Sequence, residues 1–201
     1  LFLDGDTGGP VGPFLADLAA AVLTGKLDLA LSGCFREDPG GRSLASETAR
    51  ARESLNRRLG LWGAIGQASP SHGPFACSAR LARCARARDF AVPPLVLVRA
   101  AAAGMAVGVG ARFPHALLGS PYRGPEHARL TAETIIGDCA EAISVVDGRR
   151  PSRHIWGREY QGLNPYRRFD VLDELEAQYR EGGGPDRRIR TALGGMNGPV
   201  E

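Results

Sequence analysis

Apolar positions along the chain fall into short runs and helical stripes separated by glycine, proline and charge. Leu1-Phe2-Leu3 is an apolar run that breaks into Asp4-Gly5-Asp6-Thr7. A buried strand delivering carboxylates into a loop at its C-terminal end has this pattern. From Pro10 to Thr24, Phe14, Leu15, Leu18, Val22 and Leu23 recur on one helical face, and Gly25 stands where a C-cap would be. Leu27 to Phe35 reads as a second strand, followed by the turn-rich loop Arg36-Glu37-Asp38-Pro39-Gly40-Gly41. Ser43 to about Gly60 sets leucines at helical spacing among Arg and Glu, which predicts an exposed helix running into Leu61-Trp62-Gly63-Ala64-Ile65.

Gly73 to Cys77 reads as a short strand, Ser78 to Arg88 as a helix, and Pro94 to Ala103 as another, because proline is tolerated in a first turn. Gly104 ends that helix, and Met105 to Phe113 alternates like a strand. A Gly- and Pro-rich loop spans Gly119 to Pro125. Glu126 to Val146 is the longest helical stripe, with Leu130, Ile135, Ile136, Cys139 and Ile143 among its apolar positions. After Asp147-Gly148, Arg149 to Pro165 turns polar, aromatic and basic, and Phe169 to Arg180 reads as a short amphipathic helix. Gly182-Gly183-Gly184-Pro185 opens a tail expected to be mobile. The chain thus divides into residues 1–148, an extension over 149–181 and a tail over 182–201, with no internal repeat. Alternating strands and helices predict an α/β layer structure with a mainly parallel sheet. Ligands of such sheets gather at the carboxyl ends of the strands, where Asp4 and Asp6 would sit.

Composition adds bounds. A chain of 201 residues, 43% apolar, suits one domain, or one domain with a tail, and can bury a sizeable core. Lys26 is the only lysine beside 24 arginines, the bias of a GC-rich genome. The net charge of +3 helps attract an anionic ligand but is far from a nucleic-acid-binding balance, so no nucleic acid is expected. Cys34, Cys77, Cys84 and Cys139 are scattered without zinc-ribbon spacing, which reads as reduced, mostly buried thiols in a cytoplasmic protein. Apolar runs are broken by Asp17, Arg99 or glycine before reaching the length of a membrane span, and the start lacks a signal-sequence pattern. The chain opens inside a strand pattern and without Met, from which an incomplete sequence is expected.

Two carboxylates one residue apart, just past an apolar strand, reach the same side of a loop. Mg²⁺ and Mn²⁺ favour such oxygen ligands and often bridge to substrate phosphates; a plain Asp-Gly turn is the alternative. The stretch "LFLDGDTGGPVGPFLADLAAAVLTGKLDLALSGCF" resembles the middle of family-two-like GT-A glycosyltransferases. There, a strand carries an Asp-x-Asp motif, a helix with a Phe-Leu pair follows, and a further strand leads to a charged turn. "PSHGPFACSARLARC" is similar to the acceptor-side segment of that family, and "VPPLVLVRAAAAGMAVGVGARFPH" to its next helix, glycine and strand. The likeness covers roughly residues 1–145.

This resemblance implies a GT-A-like α/β fold incomplete at its N-terminus, with residues 1–148 as the metal and acceptor side. It implies transfer of a sugar from a nucleoside-diphosphate sugar to a small-molecule or glycan acceptor, with Mg²⁺ or Mn²⁺ on the diphosphate. Carried over by position, Asp4, Gly5 and Asp6 match the donor- and metal-binding motif, and Asp6 is the direct metal contact. His115 is the match for a third ligand and His127 the runner-up. His72, Gly73 and Pro74 fall in the acceptor turn, and Arg123 suits an anionic acceptor.

The sequence departs from the family in two places. Ala91-Val92-Pro93-Pro94 lacks the carboxylate that inverting members use as general base, and Asp89 lies a few residues too early. A retaining mechanism, as in members resembling glucosyl-3-phosphoglycerate synthase or mannosylglycerate synthase, or an inactive homologue, is left open, and no catalytic residue is assigned. The strands that would bind base and ribose are missing, so weak or absent activity is expected of this chain alone. Arg80, Arg83, Arg86 and Arg88 read as a solvated helix face or as an anion patch. "RRPSRHIWGREYQGLNPYRRF" reads as a segment folding back on its own domain or a subunit contact in a homodimer.

Other classes stay in play. A haloacid-dehalogenase-like phosphohydrolase also begins with strand and Asp-x-Asp, but Gly8 stands where it wants Thr, and Lys26 is the only lysine. A sugar nucleotidyltransferase shares the architecture. A degenerate, non-catalytic GT-A domain acting in partner binding fits the missing base.

Overall fold

The computed structural model describes residues 1–35 and 43–180. The predicted loop at 36–41 and the tail at 182–201 therefore lie outside the described residues. The chain is mixed α/β, with a small three-stranded mixed sheet flanked by helices.

Helix α1, Gly12–Leu23, takes Pro13 in its first turn and ends at Gly25, whose φ of 73° is the left-handed position glycine adopts freely. Its Phe14, Leu15, Leu18 and Val22 pack on one face of the sheet, whereas Leu23, expected in the same stripe, is exposed. Strand β1, Leu29–Phe35, is the centre of the sheet. Period-two alternation sends Leu29 and Leu31 to one core and Ala30 and Cys34 to the α1 side.

Helix α2, Leu44–Arg58, starts in a capping box: Ser43 Oγ accepts from the Ser46 amide, and Ser46 Oγ accepts from the Ser43 amide. This helix was expected to be exposed. Instead Thr48, Ala51, Arg52 and Leu55, spaced i, i+3, i+4, i+7, are buried against α7, Pro125–Val146. The stripe was there, but Thr and Arg occupy half of it.

After the single turn α3, Trp62–Ile65, strand β2, Phe75–Cys77, pairs antiparallel with β1. The expected helix from Ser78 to Arg88 breaks at Ala85 into α4, Ala79–Cys84, and α5, Ala87–Ala91. Ser78 caps α4 and donates to Asp28 Oδ1, while Asp28 Oδ2 accepts from the Ala106 amide. One carboxylate thus ties the amino end of β1 to both neighbouring strands. Helix α6, Pro94–Ala102, buries residues around most of its circumference at the centre of the larger core.

Strand β3, Val107–Pro114, runs parallel to β1, and a bulge lies opposite Leu31 and Ser32, where Gly110 is the extra residue. The bulge swaps the strand's faces: Val107 and Val109 pack with the larger core, whereas Ala111 and Phe113 join the α1 side. With β2 antiparallel, the sheet is mixed rather than mainly parallel.

Beyond α7, strands β4, His154–Ile155, and β5, Arg158–Glu159, form a small hairpin, and α8, Phe169–Arg180, packs on α5. The segment between α7 and α8 folds back on α7. Buried Arg153 bonds Asp138 on α7, the Thr134 carbonyl and the Tyr160 carbonyl. Gly137 leaves room for this: a Cβ there would lie 2.4 Å from Arg153 Nη2. No helix of the described residues is long and apolar enough to cross a membrane.

Candidate functional site

Leu1-Phe2-Leu3, expected as a strand, contributes one antiparallel bridge, with Phe2 N 2.8 Å from Phe75 O and Phe75 N 3.1 Å from Phe2 O. Phe2 is antiparallel to β2, and β2 is antiparallel to β1, so Leu1–Leu3 runs in the direction of β1 and β3. Asp4 therefore emerges at the same edge as the carboxyl ends of both parallel strands, where ligands of α/β sheets collect.

Asp4 to Thr7 is a turn closed by the Thr7 amide on the Asp4 carbonyl, 3.1 Å. Behind it, Gly9 donates to the Leu118 carbonyl at 3.0 Å, and Gly9 and Gly119 meet backbone to backbone. A Cβ on Gly9 would fall 1.8 Å from the Leu117 oxygen. The carboxylate turn is thereby clamped to the 3-10 turn His115–Leu118 that follows β3.

The two carboxylates differ in surroundings. Asp6 Oδ2 accepts from Arg123 Nη2 at 3.1 Å. Asp4 lines an open cleft of about 140 Å³ with Gly73, Phe75, Phe90 and Pro93. Although much of the residue is exposed, its carboxyl group loses part of its hydration in the cleft. That desolvation, with the neighbouring Asp6 charge second, raises its pKa above the ordinary carboxylate range.

The His72-Gly73-Pro74 turn lies over the carboxyl half of β1. Ser32 Oγ donates to the His72 carbonyl at 3.3 Å, and the Ser32 amide donates to the Pro74 carbonyl at 3.2 Å. Gly73 has φ 99°, and a Cβ there would stand 2.8 Å from Cys34 Sγ. His72 and His115 bring their rings to 5.5 Å between centroids, tilted by 30°. The acceptor-like turn and the segment after β3 therefore meet. His127 lies apart in sequence, half-buried in the first turn of α7.

Among the described residues, no group of three or more His, Cys, Asp or Glu side chains is gathered to hold a metal ion. The set Asp4, Asp6 and His115 is thus not assembled as a ready-made cage. Mg²⁺ characteristically takes one or two carboxylates and completes its shell with water and substrate phosphate, so the aspartate pair alone has the chemistry it needs. Arg123, expected to face an acceptor, is held on Asp6 instead.

The sequence did not single out Ser32, and it marked Cys34 only as a buried thiol. Burial pushes the Cys34 thiol up, against the Ser32 hydrogen bond and the Arg52 charge, and Asp4 adds to the rise. The signal was a small polar run at the carboxyl end of an otherwise apolar strand. Asp89, weighed as a misplaced base, is buried: its Oδ2 accepts from the Arg86 amide and from Arg99 Nε, each at 2.9 Å. Compared with known proteins, the chain matches no family model, no curated protein and no solved structure.

Proposed function

We propose that the chain binds the diphosphate of a nucleoside-diphosphate sugar through a divalent cation at Asp4 and Asp6. It would serve sugar transfer to an acceptor hydroxyl as the metal and acceptor side of a GT-A-type glycosyltransferase. The observation that carries this reading is the clamped Asp4–Thr7 turn at the carboxyl edge of the parallel strands, next to the His72–Pro74 turn.

Mg²⁺ or Mn²⁺, when bound, would neutralise the charge developing on the departing diphosphate. Asp6 would hold the cation, and Asp4 would border both cation and cleft. Arg123 supplies a second positive charge beside the pair. Gly73 lets the acceptor turn approach the β1 edge without a side chain in the way.

Asp89 is engaged as a helix cap and ion-pair partner, which supports a retaining outcome over an inverting one. The same observation favours the second reading, a GT-A-like domain that binds without catalysing. The phosphohydrolase reading loses ground on geometry, since Lys26 precedes β1 at the opposite edge of the sheet from Asp4.

Thermal denaturation with Mn²⁺ and UDP or GDP tests the proposal. A ligand at 100 times its Kd stabilises by about 2.7 kcal/mol, a rise of roughly 5–10 °C for a chain of this size. The rise should need both Mn²⁺ and Asp6 and vanish in Asp6→Ala. No rise with either nucleotide would sink the proposal.

A further inference from the structure

We infer that Arg123 is a resident counter-cation that exchanges with the divalent metal at Asp6 and then turns to the arriving diphosphate. This rests on the diphosphate-binding reading of the site.

The guanidinium donates to Asp6 Oδ2 at 3.1 Å, and a metal ion would compete for the lone pairs of that same oxygen. The pair is open to solvent, with side chains 51% and 33% exposed, so it is weak enough to exchange. Its role while no metal is bound is to offset one of two neighbouring carboxylates.

The backbone around Arg123 is anchored on both sides. Arg123 belongs to the exposed stretch Ser120–Arg123, flanked by Gly119 at φ 65° and Gly124 at φ 98°. Gly119 is pinned against Gly9, and Gly124 caps α7. Both ends are therefore fixed to rigid parts, and the exchange needs only the long arginine side chain to turn. Displaced from Asp6, the arginine fork remains beside the cation, where a diphosphate offers it the oxygens that suit it.

Mn²⁺ binding followed by electron paramagnetic resonance, without nucleotide, tests this on the whole chain and on Arg123→Gln, Arg123→Lys and Asp6→Asn. Removing the competing charge in Arg123→Gln should tighten Mn²⁺ binding about three- to tenfold. UDP binding at saturating Mn²⁺ should weaken about tenfold in the same variant, with Arg123→Lys in between. Unchanged or weaker Mn²⁺ binding in Arg123→Gln, with binding still dependent on Asp6, overturns the exchange and leaves the diphosphate site standing. No Mn²⁺ binding to any of the proteins overturns both.

Discussion

Arg167 grips both oxygens of Asp138, with Nη1 to Oδ1 and Nη2 to Oδ2 each at 2.7 Å. Asp138 is only 2% exposed and also accepts from Arg153 Nη1 at 2.7 Å. One buried carboxylate on α7 thus anchors two arginines of the segment that follows. Removing one partner of a buried, hydrogen-bonded charge group leaves the others uncompensated, which costs about 3–5 kcal/mol. Asp138→Ala should therefore lose stability on that scale in urea denaturation followed by circular dichroism. A loss under about 1 kcal/mol would mean that the segment over 149–168 adds little to the fold.

The glycine clamp behind the carboxylates makes a sharper local prediction. Gly9→Ala puts a Cβ 1.8 Å from the Leu117 oxygen, and Gly119→Ala adds strain at φ 65° to a 2.6 Å approach to the Gly9 amide nitrogen. Each should destabilise by about 1–3 kcal/mol and displace the Asp4–Thr7 turn. Gly12→Ala, with nothing within 4 Å and a place in the first turn of α1, should instead be neutral or slightly stabilising. Melting temperatures that rank Gly12→Ala with the other two would argue against the clamp.

Asp4 gives the site a pH signature. Its raised pKa means that the folded chain binds this proton more tightly than the unfolded chain does. The contribution is favourable while the carboxyl is protonated and is lost as pH rises above about 4 through the raised folded value. Asp4→Asn should thus raise the melting temperature at pH 7, and the gain should disappear below about pH 4. A melting temperature lowered at pH 7 would contradict this sign.

Thiol reactivity follows burial. Cys139 is enclosed and its pKa is pushed up to about 12 by desolvation, whereas Cys84 is exposed on α4. Iodoacetamide labelling of the native chain should modify Cys84 first and spare Cys139 until urea is added. Equal native rates at the two positions would show that α2 and α7 open readily.

Local pattern makes much of the fold legible in the sequence. The α1, α6 and α7 stripes, the Ser43 start and the terminating Gly25 all follow from short-range spacing and capping chemistry. What the sequence hid is non-local. Strand direction is invisible to an apolar run, so a mainly parallel sheet was expected where β2 in fact pairs antiparallel with β1. The Gly110 bulge that turns Ala111 and Phe113 to the other face depends on register with β1. Arg52 disguised a buried stripe as a solvated one, because its burial follows from packing against α7 rather than from its own polarity. Around the candidate site, Asp4 and Asp6 stand out in the sequence by motif and spacing, and His72 by the resemblance alone. Arg123 on Asp6 does not, since 117 residues separate them.

Calorimetric titration of UDP or GDP into the chain, with Mn²⁺ and then with excess EDTA, is the most direct test of the central claim. The account predicts saturable binding with Mn²⁺, loss of that binding in EDTA, and at least tenfold weaker binding in Asp6→Ala. Binding of equal strength in EDTA and in Asp6→Ala, or none with either nucleotide, would contradict it.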